Sequence, residues 1–134
     1  FATLHTSSAV STITRIIDVF PAHQHAQVRT QLAGSLQGVI SQQLLTNLNG
    51  GRCLAVEILL PNPAIRSQIR EDKLHMVYQT MQMSSDKGGS QTLNQCLSGL
   101  VQRRLISVET ALSAANDIEE LKALLARTGI GKAG

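Results

Sequence analysis

The chain has 134 residues, 43% of them hydrophobic and 16% charged, with two Phe, one Tyr and no Trp, the size of one ordinary globular unit or a little more with room for a real core. Twelve Lys and Arg against nine Asp and Glu leave a formal charge of +3, too small and too scattered to signal nucleic-acid binding. No apolar run approaches the roughly 18–20 residues of a membrane helix, and the start lacks a signal-peptide pattern, so the expectation is a soluble chain with no direct membrane insertion.

Phe1 to Leu4 read as the end of a buried strand that turns, through His5-Thr6-Ser7-Ser8, into a helix. Ser7 or Ser8 can cap that helix, because a short hydroxyl side chain accepts from an unpaired N–H of the first turn. Val10, Ile13, Ile16 and Ile17 recur at helical spacing until Phe20-Pro21 stops them. Val28, Leu32, Leu36, Val39, Ile40 and Leu44 step by three and four, the strongest helical signature in the chain, and predict a long core-facing helix. Gly34 and Gly38 within it each cost about 1 kcal/mol relative to Ala, which points to a close approach by another element. Asn49-Gly50-Gly51 favours φ > 0 and predicts a hairpin between 44–48 and 52–60. Asn62 as cap and Pro63 in the first turn predict a helix over 63–71, with Ile65 and Ile69 on its apolar side.

Leu74, Val77, Tyr78 and Met81 suggest a further helix, and the Ser/Gly-rich run over 84–90 a surface loop at a subdomain boundary. Three amphipathic helices follow, over 92–103, 107–115 and 117–127, the last with Asp117 and Glu120 at capping-box spacing. Residues 129–134 read as a frayed tail. The organisation expected is therefore 1–83, a loop over 84–91, a helical subdomain over 92–128 and a disordered end.

Few residues offer chemistry. The Gly-Lys pair Gly131-Lys132 has Ala126 where a P-loop needs its first Gly and Ala133 where it needs Ser or Thr, so no Walker A motif is present. Cys53-Leu54-Ala55-Val56-Glu57 imitates a Walker B strand, yet without a phosphate cradle Glu57 reads as a strand residue facing solvent or an interface. His23 and His25, at i and i+2, do not share a helix face and have no nearby carboxylate or thiol, so no metal site is expected. Cys53 and Cys96 fit reduced thiols rather than a metal pair or a disulfide framework. His5 follows a strand end beside Thr3, Thr6 and Ser7; it is either a satisfied turn histidine, which the residues alone favour, or a group that senses a phosphate oxygen. Arg66 and Arg70, at i and i+4, share a helix face that is either solvated or a contact surface for an acidic partner or a neighbouring subunit.

Phe1-Ala2-Thr3-Leu4-His5-Thr6-Ser7-Ser8-Ala9-Val10, continuing through Thr12, Arg15, Ile16, Asp18, Phe20 and Pro21, resembles the histidine box of the PilT-type retraction ATPases of type IV pili, in the secretion-ATPase superfamily. The likeness continues through Val28-Arg29, Ser35 to Gln42, Glu57-Ile58-Leu59 and Gln91-Thr92-Leu93. Ala64 to Glu71 resembles the family segment AIRNLIRE, with Ser67 and Gln68 in place of its Asn and Leu. The resemblance implies an α/β fold, the C-terminal portion of a RecA-like P-loop NTPase domain, mostly helical, with a short β-hairpin and a C-terminal three-helix bundle. It implies a fragment of a longer cytoplasmic motor, a homo-hexamer that uses ATP and Mg²⁺ and works against an inner-membrane pilus platform protein. His5 would report the γ-phosphate with Thr3 and Thr6 near the nucleotide, and Ala64, Ile65, Arg66, Ile69, Arg70 and Glu71 would form the coupling segment. A non-enzymatic helical interaction module is the alternative. For the lone chain, no tight nucleotide binding is expected, and partly bare apolar side chains at Val28, Leu32, Leu36 and Val39.

Overall fold

A computed structural model describes residues 8–84 and 89–128. The readings of 1–7 as strand end and histidine turn, of 85–88 as loop and of 129–134 as tail lie outside the described residues.

Helix α1 (Ala9–Asp18) begins where Ser8 leaves extended backbone and its Oγ accepts from the Ser11 N–H at 3.1 Å. Ala9, Ile13 and Ile17 are buried along one stripe, with Val10 and Ile16 half-buried beside it. After a 3₁₀ turn at Ala22–Gln24 comes α2 (His25–Ser35), and here the structure departs from the expected long helix. The helix ends at Ser35, and Val39–Thr46 is strand β1, paired antiparallel with β2 (Arg52–Leu59). Along β1 exposure alternates: Val39 is buried and Ser41, Gln43 and Leu45 half-buried, whereas Ile40, Gln42, Leu44 and Thr46 are exposed. That is the period of two of a half-buried strand, not the 3.6 of a helix. The two glycines also differ. Nothing lies within 4 Å of a Cβ built on Gly34, whereas one on Gly38 would stand 3.4 Å from the Leu59 carbonyl and 3.3 Å from the Leu60 side chain. The hairpin turn is the one its sequence demands: Gly50 and Gly51 take φ of 99° and 72°, and Asn47 N–H donates to the Gly51 carbonyl at 3.0 Å.

Helix α3 (Pro63–Arg70) starts as expected, with Asn62 Oδ1 accepting from the Ile65 N–H at 2.8 Å. A 3₁₀ turn at Leu74–Met76 and α4 (Val77–Ser84) follow. Ser90 is buried, its Oγ accepting from Leu60 N–H at 2.9 Å, and Gln91 exchanges two 2.8 Å backbone bonds with Ile58. Helices α5 (Leu93–Gln102), α6 (Val108–Ala114) and α7 (Ile118–Arg127) complete the chain, the last two capped by Ser107 and Asp117.

The chain divides into two compact units, Phe1–Ser41 with Glu57–Thr92 and Gln42–Val56 with Leu93–Gly134. In the first, Ile13, Ile17, Val39, Leu59, Ile65, Ile69, Val77 and Met81 form the core. In the second, Ala55 joins Leu97, Leu100, Ile106, Leu121 and Leu125. Full burial of each such aliphatic side chain contributes about 1.5–3 kcal/mol. Of the four side chains expected to be partly bare, Val28, Leu32 and Leu36 are half-buried, as expected, and Val39 is buried. Val28, Leu32 and Leu36 pack against the first core and Val39 is within it, whereas Ile40 and Leu44 are 62% and 63% exposed.

Helices α3 and α5 end in the same way. Lys73 N–H reaches back to the Gln68 carbonyl and Leu105 N–H to Leu100, with Asp72 N–H bonded to Ile69 and Arg104 N–H to Val101. Each ending requires a left-handed residue, Asp72 at φ 60° and Arg104 at φ 59°, in the place that usually belongs to glycine. A side chain there costs roughly 1–2 kcal/mol, partly offset by the roughly 0.5–1 kcal/mol glycine loses in chain entropy. Arg104→Gly should therefore stabilise the second unit by up to about 1 kcal/mol and raise the thermal midpoint by a few degrees; a lowered midpoint in calorimetry would contradict this.

Candidate functional site

Helix α1 is the first described element after His5 in the sequence. A phosphate bound at a helix start needs unpaired N–H groups. Here the Ser11 N–H is taken by Ser8 Oγ and the Ala9 N–H donates to Glu57 Oε1 at 2.8 Å. Glu57 is 1% exposed, on the β2 face that also buries Ala55 and Leu59. The expectation that Glu57 faces solvent or an interface is thus corrected: it points inward and grips a helix N-terminus 48 residues earlier in the chain. α1 has no acidic residue in its own first turn, so Glu57 supplies the negative charge that complements the positive end of the helix dipole. A carboxylate in that place repels a second anion. Two of the first three amides of α1 are therefore taken, and Thr3, His5 and Thr6 lie outside the described residues.

The second cluster is α3. Ile65 and Ile69 are fully buried, Arg66 is half-buried, and Arg70 and Glu71 are exposed. Helical spacing places both arginines on one face, but they do different things. Arg66 Nη1 donates to the Ala33 carbonyl at 2.7 Å. Ala33 lies in the last turn of α2, where carbonyls have no partner within the helix and the dipole is negative. Arg66 thus ties α3 to α2, and of the pair Arg70 is the more exposed. Gln68, in the place where the PilT-type segment has Leu, exchanges hydrogen bonds of 2.8 and 3.2 Å with Thr80 Oγ1 on α4. Arg29 stands 3.9 Å from Asp72, just beyond the end of α3.

The other candidates are local. His25 Nε2 lies 2.7 Å from the Phe20 carbonyl, and His23 and His75 are exposed. Cys53 and Cys96 are free thiols, and Cys96 Sγ accepts from the Val56 N–H at 3.4 Å. Among the described residues no three His, Cys, Asp or Glu side chains are placed to share a metal, and no helix is long and apolar enough to cross a membrane.

Over 115 residues, 86% of the chain, the sequence is 51% identical to the type IV pilus retractation ATPase PilT of Pseudomonas aeruginosa. Over 122 residues, 90% of the chain, it is 43% identical to a twitching motility protein of Neisseria gonorrhoeae. The fold matches the crystal structure of the pilus retraction motor PilT with bound ADP at a TM-score of 0.82 and 50% identity, over 90% of this chain and 33% of that one. The chain belongs to the PilT-type family. No family model matches it. It spans about a third of the length of the relatives it matches, 33% of the Pseudomonas protein and 32% of the Neisseria one. A Legionella pneumophila ATPase, DotB, shares the fold at a TM-score of 0.68 and 18% identity, over 84% of this chain and 31% of that one. The architecture is accordingly the C-terminal portion of a RecA-like P-loop NTPase domain, α/β and mostly helical.

Sequence reasoning missed Glu57, although a signal existed: it stands two residues from Ala55 and from Leu59, in phase with the buried side of β2. For Arg66 there was none, because its acceptor is a backbone carbonyl 33 residues away. In this PilT-type helix a hydrogen bond from a charged donor contributes roughly 1.5–3 kcal/mol when its acceptor has no substitute partner. Arg66→Ala should therefore lower unfolding free energy by about 1–2 kcal/mol and Arg70→Ala by less than about 0.5 kcal/mol. Equal losses in urea titrations would refute the distinction.

Proposed function

We propose that this chain is part of a homo-hexameric motor that hydrolyses ATP, with Mg²⁺, to retract type IV pili and drive twitching motility. It acts in the cytoplasm, against the pilus platform protein of the inner membrane. The observation that carries the reading is the 51% identity to a pilus retractation ATPase across 86% of the chain. The fold match to a retraction motor solved with ADP supports it.

In this reading His5 reports the γ-phosphate, with Thr3 and Thr6 beside the nucleotide. Stabilising a transferring phosphoryl group takes a lysine, a Mg²⁺ ligand and a backbone cradle together. These 134 residues hold no GxxxxGK[ST], and the Ala9 and Ser11 amides at the start of α1 are already committed. What this sequence contributes is the response to the nucleotide: a turn that reads it, and helix α3, which passes the movement on. Of the α3 residues, Ile65 and Ile69 anchor the helix, Arg66 ties it to α2, and Arg70 and Glu71 form its outward face.

The 134-residue chain alone should show no ATP turnover. Joined to the remaining two thirds of the relatives' length it should hydrolyse ATP, and His5→Ala should lower that rate at least about tenfold with the ring intact. Turnover at the unsubstituted rate would remove the sensor role, and a joined protein with no turnover would favour a non-enzymatic interaction module. Arg70→Ala tests the coupling face without disturbing the bond of Arg66: hydrolysis should persist while twitching falls. Unchanged twitching would reject that face.

A further inference from the structure

We propose that Glu57 is a positioning residue that acts on His5 by fixing the start of α1, the helix that begins four residues after it; the inference rests on the motor reading above. Three observations carry it. Glu57 is 1% exposed and accepts from the Ala9 N–H at 2.8 Å, a bond between segments 48 residues apart that no local structure requires. α1 brings no acidic residue of its own to its first turn. The other end of that turn is also fixed, since Ser8 Oγ holds the Ser11 N–H and the Thr12 N–H bonds to the Ser8 carbonyl at 3.1 Å.

His5 lies four residues before Ala9. The chain leaving His5 therefore enters a helix whose first amide is clamped to β2 and whose axis is set by Ile13 and Ile17 in the core. The other direction from Glu57 is equally short. Leu59 ends the strand in the same core, Leu60 N–H is held by Ser90 Oγ, and Asn62 caps α3. One strand thus joins the start of the sensing helix to the start of the coupling helix, and Glu57 is where the sensing helix grips it. Glu57 does not touch the nucleotide in this scheme; it acts through the start of α1. Displacement of a catalytic group by about 1 Å can cost two orders of magnitude in rate, so loss of the clamp should appear in kcat.

The test uses Glu57→Ala, which removes the acceptor, and Glu57→Gln, whose amide oxygen still accepts from an N–H. In the joined motor, Glu57→Ala should lower kcat at least about tenfold while changing KM for Mg-ATP less than about threefold, and Glu57→Gln should restore kcat to within about threefold. In the 134-residue chain, hydrogen exchange followed by NMR should show the Ala9 amide protected in the unsubstituted protein and in Glu57→Gln. Glu57→Ala should lose that protection while the Ile69 and Leu97 amides keep theirs. A folded Glu57→Ala motor with unchanged kcat overturns the proposal, as does an unprotected Ala9 amide in the unsubstituted chain. Should Glu57→Ala fail to fold, Glu57→Gln decides: low kcat, or loss of protection at Ala9, overturns the positioning role. Failure of the motor reading is distinct, since the unsubstituted joined protein would then turn over no ATP.

Discussion

A carboxylate removed from water must find donors, and Glu57 finds one of them at the start of α1. Desolvation of an ionised carboxylate costs several kcal/mol even after relaxation, so a helix N-terminus, with unpaired N–H groups and a positive dipole end, is among the few environments that offset it. The arrangement constrains both partners. β2 must present Glu57 inward, which by the period of two places Ala55 and Leu59 inward as well, and α1 must begin at Ala9 rather than a residue earlier or later. Slipping β2 by one residue would bury Ile58 and expose the carboxylate, but it would also strand the Ala9 amide and remove Leu59 from the core. The polar contact and the apolar packing specify the same register.

What the sequence disclosed follows from the range of the forces involved. Caps are local: Ser8, Asn62, Ser107 and Asp117 each act on an amide three residues on, so a short window contains cause and effect. The C-terminal helices were legible for the same reason, since Leu93, Leu97, Leu100 and Val101 carry a helical stripe within one element. The stripe from Val28 to Leu44 misled because apolar residues at spacings of three and four ran across the boundary between α2 and β1. Ile40 and Leu44, which completed the helical pattern, lie on the exposed side of the strand. What decides for strand is pairing with β2 across the hairpin, together with the close packing of Gly38 against Leu59 and Leu60.

The site was legible in outline only. Resemblance pointed to α3 as a functional helix, and its boundaries and buried isoleucines could be read from periodicity and the Asn62-Pro63 start. The separate duties of Arg66 and Arg70 could not, because an i, i+4 pair is equivalent by spacing and is distinguished only by what lies opposite. Ala33 lies opposite Arg66. Gln68 is a further case: a polar residue where the PilT-type segment has Leu looks like a weakened core position until Thr80 is seen to satisfy both ends of its amide. Arg66 and Gln68 fasten α3 to α2 and to α4, so that the helix moves with its neighbours or not at all.

The contact between Glu57 and α1 also bears on the motor reading proposed above. A helix N-terminus that bound phosphate directly would gain and lose its counter-charge with every turnover, and α1 would be remade each time. Glu57 Oε1 accepts from the Ala9 N–H, so the start of α1 has a partner from within the chain. In the motor reading, a change at the γ-phosphate would reach the chain through the residues that precede α1 in sequence. Ile13 and Ile17 share one core with Ile65 and Ile69, and close-packed interiors have low compressibility and transmit strain, so in that reading a shift imposed on α1 would reach α3 through the shared core.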